Sequence, residues 1–274
     1  MSDELRIAAY GLSIGRDTYN LDNMYINGRS ITNAEEKKTT ISKVSRGDFQ
    51  VYGVCDADAG VSDRAKSAPN AGEPFRAMAE LQSDMEGAKK IEKEKIWRFL
   101  KDCSRKIQDR NDSLDQPEAG VSYAGLFFHG NRGLAVHVGD SRIYQFRKNK
   151  VLLRSSDHSI PQYLVNIGEI KERDIRHHPD RNKLLRVMGS EWETPRYQRL
   201  KLEEPVCGDA FLLCTDGFWE WIEEKDMERF LKRTSCSEEW LNTMKKFIYA
   251  RGRGNRMDNL SAIAIMRVEG DDDG

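Results

Sequence analysis

The sequence predicts an α+β chain in which antiparallel strands are covered by helices, and three observations carry that expectation. Short runs of strand character recur in both halves, two helical segments each carry one apolar stripe, and strand ends repeatedly meet an aspartate. The run at 211–214 leads through Thr215 to Asp216 and Gly217, the run at 51–55 leads into Asp56, and Asp258 and Asn259 immediately precede the run at 260–266. A strand that stops on an acid before glycine places that acid at the rim of a sheet. Three such rims are expected to converge on a hard cation.

The 274 residues suffice for a substantial core. No Pro-, Gly- or Ser-rich linker and no repeat divides them, and splitting the chain would split the aspartate set, so one domain over 1–274 is expected, with 270–274 as an acidic tail. Lys and Arg number 44 against 45 Asp and Glu, a formal charge of −1, which leaves no electrostatic footprint for nucleic acid. The five cysteines lack CxxC spacing and read as reduced thiols of a cytoplasmic protein. The first ten residues contain no apolar signal region, and no window approaches the ~20 apolar residues of a membrane span.

Taken in order, residues 5–12 make a first strand and 24–31 a hairpin, because Asn27-Gly28 suits a tight turn with positive φ. The loop at 13–23 between them holds Arg16 and Asp22, read either as solvated charges or as site residues. Residues 34–38 are a charged loop or a single helical turn. After the strand at 49–55, Asp56 and Asp58 have a spacing that loosely suggests a calcium loop, but the third oxygen ligand, the loop length and the closing glutamate are missing, so an EF-hand is rejected. Residues 73–112 read as two helical pieces broken near Gly87; Ile96, Phe99, Leu100, Cys103 and Ile107 form one apolar stripe.

From 121 onward the pattern is an antiparallel meander of four strands, with Asp140 in a turn where Gly-Asp is also ordinary turn chemistry. Residues 160–170 make a short amphipathic helix. The polar segment 171–182 then suits a mobile flap, in which His177 and His178 are weak candidates for acid catalysis. Strands follow at 197–202 and 210–214, helices at 218–231 and 237–250, and a last strand at 260–268. The basic loop at 251–255 reads as a connector, since no strand feeds it as in a P-loop.

The ordered segments NLDN (20–23), GVCDADAG (53–60), VGDSRIY (138–144), SDHS (156–159), LLCTDGFWE (212–220) and MDNLSAIAI (257–265) together resemble the metal-dependent protein phosphatase 2C (PPM) family in its compact bacterial members. The resemblance spans nearly the whole chain. It implies a four-layer α-β-β-α sandwich, two antiparallel sheets with helices packed on both outer faces. It also implies a serine/threonine protein phosphatase whose attacking water bridges two divalent metals, with two to three Mn²⁺ or Mg²⁺ ions in all.

Carried over by position, the resemblance makes Asp56 the bridging ligand, completed by Asp216, Asp258 and the Ala57 carbonyl, with Asp140 holding a third metal. Arg16 would bind phosphate. Asp22, Asn259 and Asp58 would lie behind the ligands, and Asp58 stays open between extra ligand, outer acceptor and solvated turn residue. Oxygen-only ligation suits Mg²⁺ and Mn²⁺, and the lack of a Cys or His cluster argues against zinc. Phosphorylated proteins, opposite a serine/threonine kinase, are the implied partners of a monomer. The chain departs from the family pattern at Leu21 where an acid is common, at Arg16 by one position, at Ala57 where glycine would tolerate positive φ, and at Asp58 and Ala59, which leave no histidine to protonate the leaving oxygen. Two rivals follow: a catalytically weak pseudophosphatase serving as a phosphoprotein scaffold, and a metal-dependent phosphodiesterase or nuclease.

Overall fold

The structure is a computed structural model that describes residues 6–14, 20–31, 38–45, 49–59, 64–85, 87–88, 90–113, 120–189, 196–255 and 257–268. Twelve strands among these residues form two antiparallel six-stranded sheets. In chain order they are β1 (Arg6–Ile14), β2 (Asp22–Ile26), β3 (Arg29–Ile31), β4 (Lys38–Ser45), β5 (Phe49–Ala59), β6 (Gly120–His129), β7 (Arg132–Val138), β8 (Arg142–Arg147), β9 (Lys150–Arg154), β10 (Gln198–Lys201), β11 (Ala210–Cys214) and β12 (Leu260–Val268). One sheet has the order β4-β1-β12-β11-β8-β9, the other β10-β7-β6-β5-β2-β3.

The helices are α1 (Arg64–Met85), α2 (Lys93–Ser113), α3 (Ile160–Asn166), α4 (Asp216–Trp219), α5 (Glu224–Leu231) and α6 (Ser237–Arg251), with a 3-10 turn at Glu172–His177. Three apolar clusters show the layering. Val51 and Cys55 of β5 pack with Phe75, Met78, Ile96, Phe99 and Leu100 of α1 and α2, while Tyr52 and Val54 turn the other way, toward Ile263, Ile265, Leu213 and Phe211 of the facing sheet. On that sheet's outer side Ala262 and Ala264 meet Trp240, Leu241, Met244 and Ile248 of α6. Side chains of one strand alternate between faces, so β5 and β12 each serve two cores at once. The result is the α-β-β-α sandwich expected from the sequence.

The hairpin at Asn27-Gly28 forms, with φ of 40° and 92° at the two positions, as a two-residue turn between twisted strands requires. The stripe of α2 is buried as predicted, and the break near Gly87 separates α1 from α2. The expected four-stranded meander does not form: β6 and β7 belong to one sheet, β8 and β9 to the other. The chain crosses between sheets at Gly139-Asp140-Ser141, because the inward faces of both hairpins find apolar partners only across the sandwich. Two further corrections are smaller. α1 begins at Arg64 rather than 73, and the helix expected over 218–231 is two pieces, α4 and α5.

Candidate active site

The strand ends carrying the aspartates lie at one end of the sandwich. Asp22 opens β2 directly opposite Asp56 on β5, and Asp56 is in turn opposite Ser122 on β6. From the other sheet, β11 ends at Cys214 and delivers Thr215 and Asp216 into α4, next to the segment Asp258-Asn259 that leads into β12. Thr215 ties its own sheet to the facing one and to its neighbouring strand β12. Thr215 Oγ1 donates to Asp22 Oδ2 at 2.8 Å, and the Thr215 amide donates to the Ser261 carbonyl at 3.0 Å.

Asp140 is held from three sides. The Ser122 hydroxyl accepts the amides of Asp140 and Ser141 at 3.1 and 2.8 Å, which pins the crossover to β6. Gly139 has φ +93°, and a Cβ there would press on Ser122, so glycine suits both the turn and the approach. The indole N–H of Trp219 donates to the Asp140 carbonyl at 2.9 Å. Behind the turn, His158 donates its amide to the Gly139 carbonyl at 2.8 Å and accepts the Gly139 amide at Nδ1.

Trp219 is itself fixed by a buried cation. The Arg142 guanidinium lies 3.5 Å from the Trp219 ring centre and forms a fork with Asp157 at 2.8 and 2.6 Å, both side chains being essentially inaccessible. Arg176, from the 3-10 turn, donates to the carbonyls of Trp219 and Ile222 and to Glu224. The first half of the expected flap is therefore bolted down, not loose. In its second half Arg181 reaches Glu220 at 2.5 Å.

The carboxylates act on one another. Asp56, Asp140 and Asp216 are buried, and Asp258 is half-buried. Burial first, then the charges of Asp56, Asp140, Glu220 and Asp258, push the Asp216 carboxyl well above the usual carboxylate range. Burial and the charge of Asp157 push Asp140 up to about 7, against the hydrogen bond from Ser122. Glu220 is raised by burial while Arg181 opposes the shift. Anions that raise each other in a low-dielectric site call for a cation, and an all-oxygen donor set fits a hard one. Among the described residues, no three His, Cys, Asp or Glu side chains are gathered into a finished metal-holding group.

Ala57 lies within β5, buried, and among the described residues only Asn27, Lys148 and Asn149 are non-glycine positions with positive φ. Ala57 therefore carries no positive-φ strain, because β5 continues past Asp56 as strand, with a register shift between Asp56 and Ala59. Asp58 is placed in β5 by its backbone. Asn259 is buried, and its amide donates to Asp258 Oδ1 at 2.8 Å. Leu21 is core, packed in the cluster under α1 and α2. His177 is exposed, and His178 accepts the Asp180 amide. Arg16 lies outside the described residues.

Sequence reasoning missed Ser122, Thr215, Trp219 and Glu220 as supports of the site. Thr215, Trp219 and Glu220 stood inside the LLCTDGFWE segment. Ser122 gave no signal, since its contacts are all made across the fold.

No protein-family model matches the chain. A serine/threonine protein phosphatase, PstP of Mycobacterium tuberculosis (strain ATCC 25618 / H37Rv), is 28% identical over 152 residues, 56% of this chain and 28% of PstP. The chain also spans 59% of a similar Stp phosphatase from Listeria welshimeri, so it covers less than two thirds of these relatives. Among solved structures, the S. agalactiae serine/threonine phosphatase aligns over 96% of this chain and 100% of its own, with TM-score 0.72 and 20% identity. The catalytic domain of PstP in complex with two manganese ions aligns over 96% and 100%, with TM-score 0.70 and 17% identity. Related to these proteins in sequence and sharing their fold, the chain is a homologue of the bacterial PPM-family serine/threonine phosphatases.

Proposed function

We propose that the chain hydrolyses phosphoserine and phosphothreonine monoesters in proteins with two to three Mn²⁺ or Mg²⁺ ions. The observation that carries this reading is the convergence of Asp56, Asp140 and Asp258 on Asp216, whose carboxyl is pushed well above the usual carboxylate range by burial together with their charges. Asp56, Asp216, Asp258 and the Ala57 carbonyl are the proposed principal ligands, with Asp140 for a further ion. When bound, such ions neutralise charge on the phosphoryl oxygens and make water a nucleophile near neutral pH.

The remaining work belongs to the chain. Asp22 accepts from Thr215 and so orients the residue beside Asp216. Ser122 and Trp219 hold the Asp140 turn by its backbone amide and carbonyl. Arg181 is positively charged next to Glu220, and Asp216 and Asp258 act on it too, so the flap brings a cation to the acidic rim. That cation is suited to orient a phosphoryl group, a role also assigned here to Arg16. Asn259 and Asp58 are proposed to lie behind the ligands.

The printed activity of the relatives supports the reading, as does the manganese pair in the PstP catalytic domain. We further propose one domain acting as a monomer on phosphorylated proteins, opposite a serine/threonine kinase. A cytoplasmic location agrees with five cysteines that remain thiols. No helix of the described residues is long and apolar enough to cross a membrane.

The pseudophosphatase reading draws on the altered segment at Asp56–Gly60, where Ala57, Asp58 and Ala59 depart from the family pattern. Phosphate release from a phosphothreonine peptide, measured with Mn²⁺, with Mg²⁺ and with EDTA, separates the two. Turnover that EDTA and Asp216→Ala abolish supports the enzyme. A folded protein without turnover at any metal concentration overturns it, and cleavage of a phosphodiester in preference to the peptide moves the assignment to the second rival.

A further inference from the structure

The far end of the β5-containing sheet holds a groove of about 920 Å³ that the proposed catalysis does not use. The register puts Asp56 beside Ser122 at the site end and Phe49 beside His129 at the groove end, seven residues away along β5. At ~3.3 Å per residue this is roughly 23 Å.

Three elements contribute cations to the groove. Lys90 and Lys93 come from the start of α2 and the residues before it, Arg132 from the start of β7, and Arg199 and Lys201 from β10. None of the five takes part in an ion pair among the described residues. Three glutamates, Glu94, Glu203 and Glu204, also line the groove, so cations outnumber acids five to three in a chain whose formal charge is −1. Elsewhere between α2 and the chain entering β10, Trp97 stacks on Tyr197 with ring centres 6.0 Å apart.

β10 is an edge strand: among the described residues it pairs with β7 alone. Its other edge is unpaired among the described residues, a template for one more strand, and the groove lies over the adjoining sheet face, lined by Arg199 and Lys201 of β10 and the start of β7. Positive side chains on an edge strand by themselves guard against aggregation, which accounts for Arg199 and Lys201. It does not account for Lys90, Lys93 and Arg132, which come from other elements and face the same space.

We propose that this groove docks an extended acidic segment of a partner protein, which adds to β10 as a strand and places its carboxylates against Lys90, Lys93, Arg132, Arg199 and Lys201. The backbone ladder supplies affinity and the cations supply selectivity and steering. Because the groove is remote from the aspartates, occupancy leaves small-ester chemistry unchanged while holding a tethered protein near the site.

A fluorescein-labelled decapeptide of alternating Glu and Val, followed by anisotropy at ~0.1 M salt, tests the proposal without any turnover. Binding is expected to fall at least ~10-fold in the double variant Arg199→Glu/Lys201→Glu. The same peptide with proline at alternate positions, unable to pair as a strand, is expected to bind at least ~10-fold more weakly. The urea-unfolding midpoint of the variant should match the parent, which shows that it folds. Equal binding by parent and variant overturns the proposal. So does equal binding of the proline peptide, or displacement by a single-stranded oligonucleotide of the same charge as readily as by unlabelled peptide, since either makes the groove a general anion surface.

Discussion

Gly217 has no side chain where α4 passes the backbone of Asp258 and Asn259, and Gly217→Ala tests how tightly that passage sets the site. An added Cβ would lie nearer than 3.0 Å to the Asn259 carbonyl oxygen, a separation real Cβ atoms essentially never show, and 3.3 Å from the Asp258 carbonyl carbon. Both neighbours are backbone, so no side chain can swing aside. Regaining ordinary contact at 3.4 Å requires α4 and the Asp258-Asn259 segment to part by on the order of 1 Å, and overpacking of this kind typically costs about 1–3 kcal/mol. Asp216 and Asp258 stand on the two sides of that gap, so separating them weakens any cation they share. Urea unfolding monitored by tryptophan fluorescence reads the first effect. The Mn²⁺ concentration giving half-maximal phosphate release reads the second and is expected to rise about 10-fold or more. An alanine variant with the parent's unfolding midpoint and Mn²⁺ dependence would refute the close-approach argument.

Three further outcomes follow from the same geometry. Asp157→Ala removes the fork that holds the buried Arg142 guanidinium and leaves it only Glu224 at 3.7 Å, which should cost about 3 kcal/mol in urea unfolding; a loss below ~1 kcal/mol would contradict it. Trp219→Phe removes the donor to the Asp140 carbonyl and should cost about 1–3 kcal/mol, with less effect in a protein already carrying Asp140→Ala if the turn is what it supports. Acid sensitivity should come from two stacked imidazoles. Burial holds His137 down to about 4, and burial with the charge of His137 holds His158 down to about 3, their rings 4.6 Å apart. The unfolded chain binds these protons near pH 6.5, so the stability is intact above that pH and is lost as pH falls toward 4. For His137 the loss between pH 7 and pH 5 is about 2 kcal/mol, and His137→Leu should remove that share of the slope.

The four rim aspartates were legible because each stands at the end or start of an apolar run, where a carboxylate has no packing use. Strands β5, β11 and β12 were legible for the same reason, from Val, Ile and aromatic content that alternates between two buried faces. β4 was not: its TTISKV stretch is largely polar and lies at a sheet edge, with Ile41 buried among the side chains described. The start of α1 was hidden by Pro69, Gly72 and Pro74, residues that weaken any helical signal. The crossover at Gly139-Asp140 carries the same turn chemistry as a hairpin, so local pattern cannot tell a return within one sheet from a step to the other. Ser122 was illegible on like grounds, and Trp219 and His158, though inside segments that carry the resemblance, gave no hint of their partners on the Gly139–Ser141 turn, which the packing of the sandwich chooses.

The most direct test of the central claim is cation binding itself, read by calorimetric titration of the metal-stripped protein with Mn²⁺, beside Asp216→Asn. The account predicts saturable binding of at least two ions to the parent, with at least one site lost or strongly weakened in the variant while its unfolding midpoint without metal is unchanged or raised, because one of the mutually repelling carboxylates is gone. A parent that takes up no Mn²⁺, or a variant that binds it as the parent does, would contradict the assignment of the rim aspartates as the metal site.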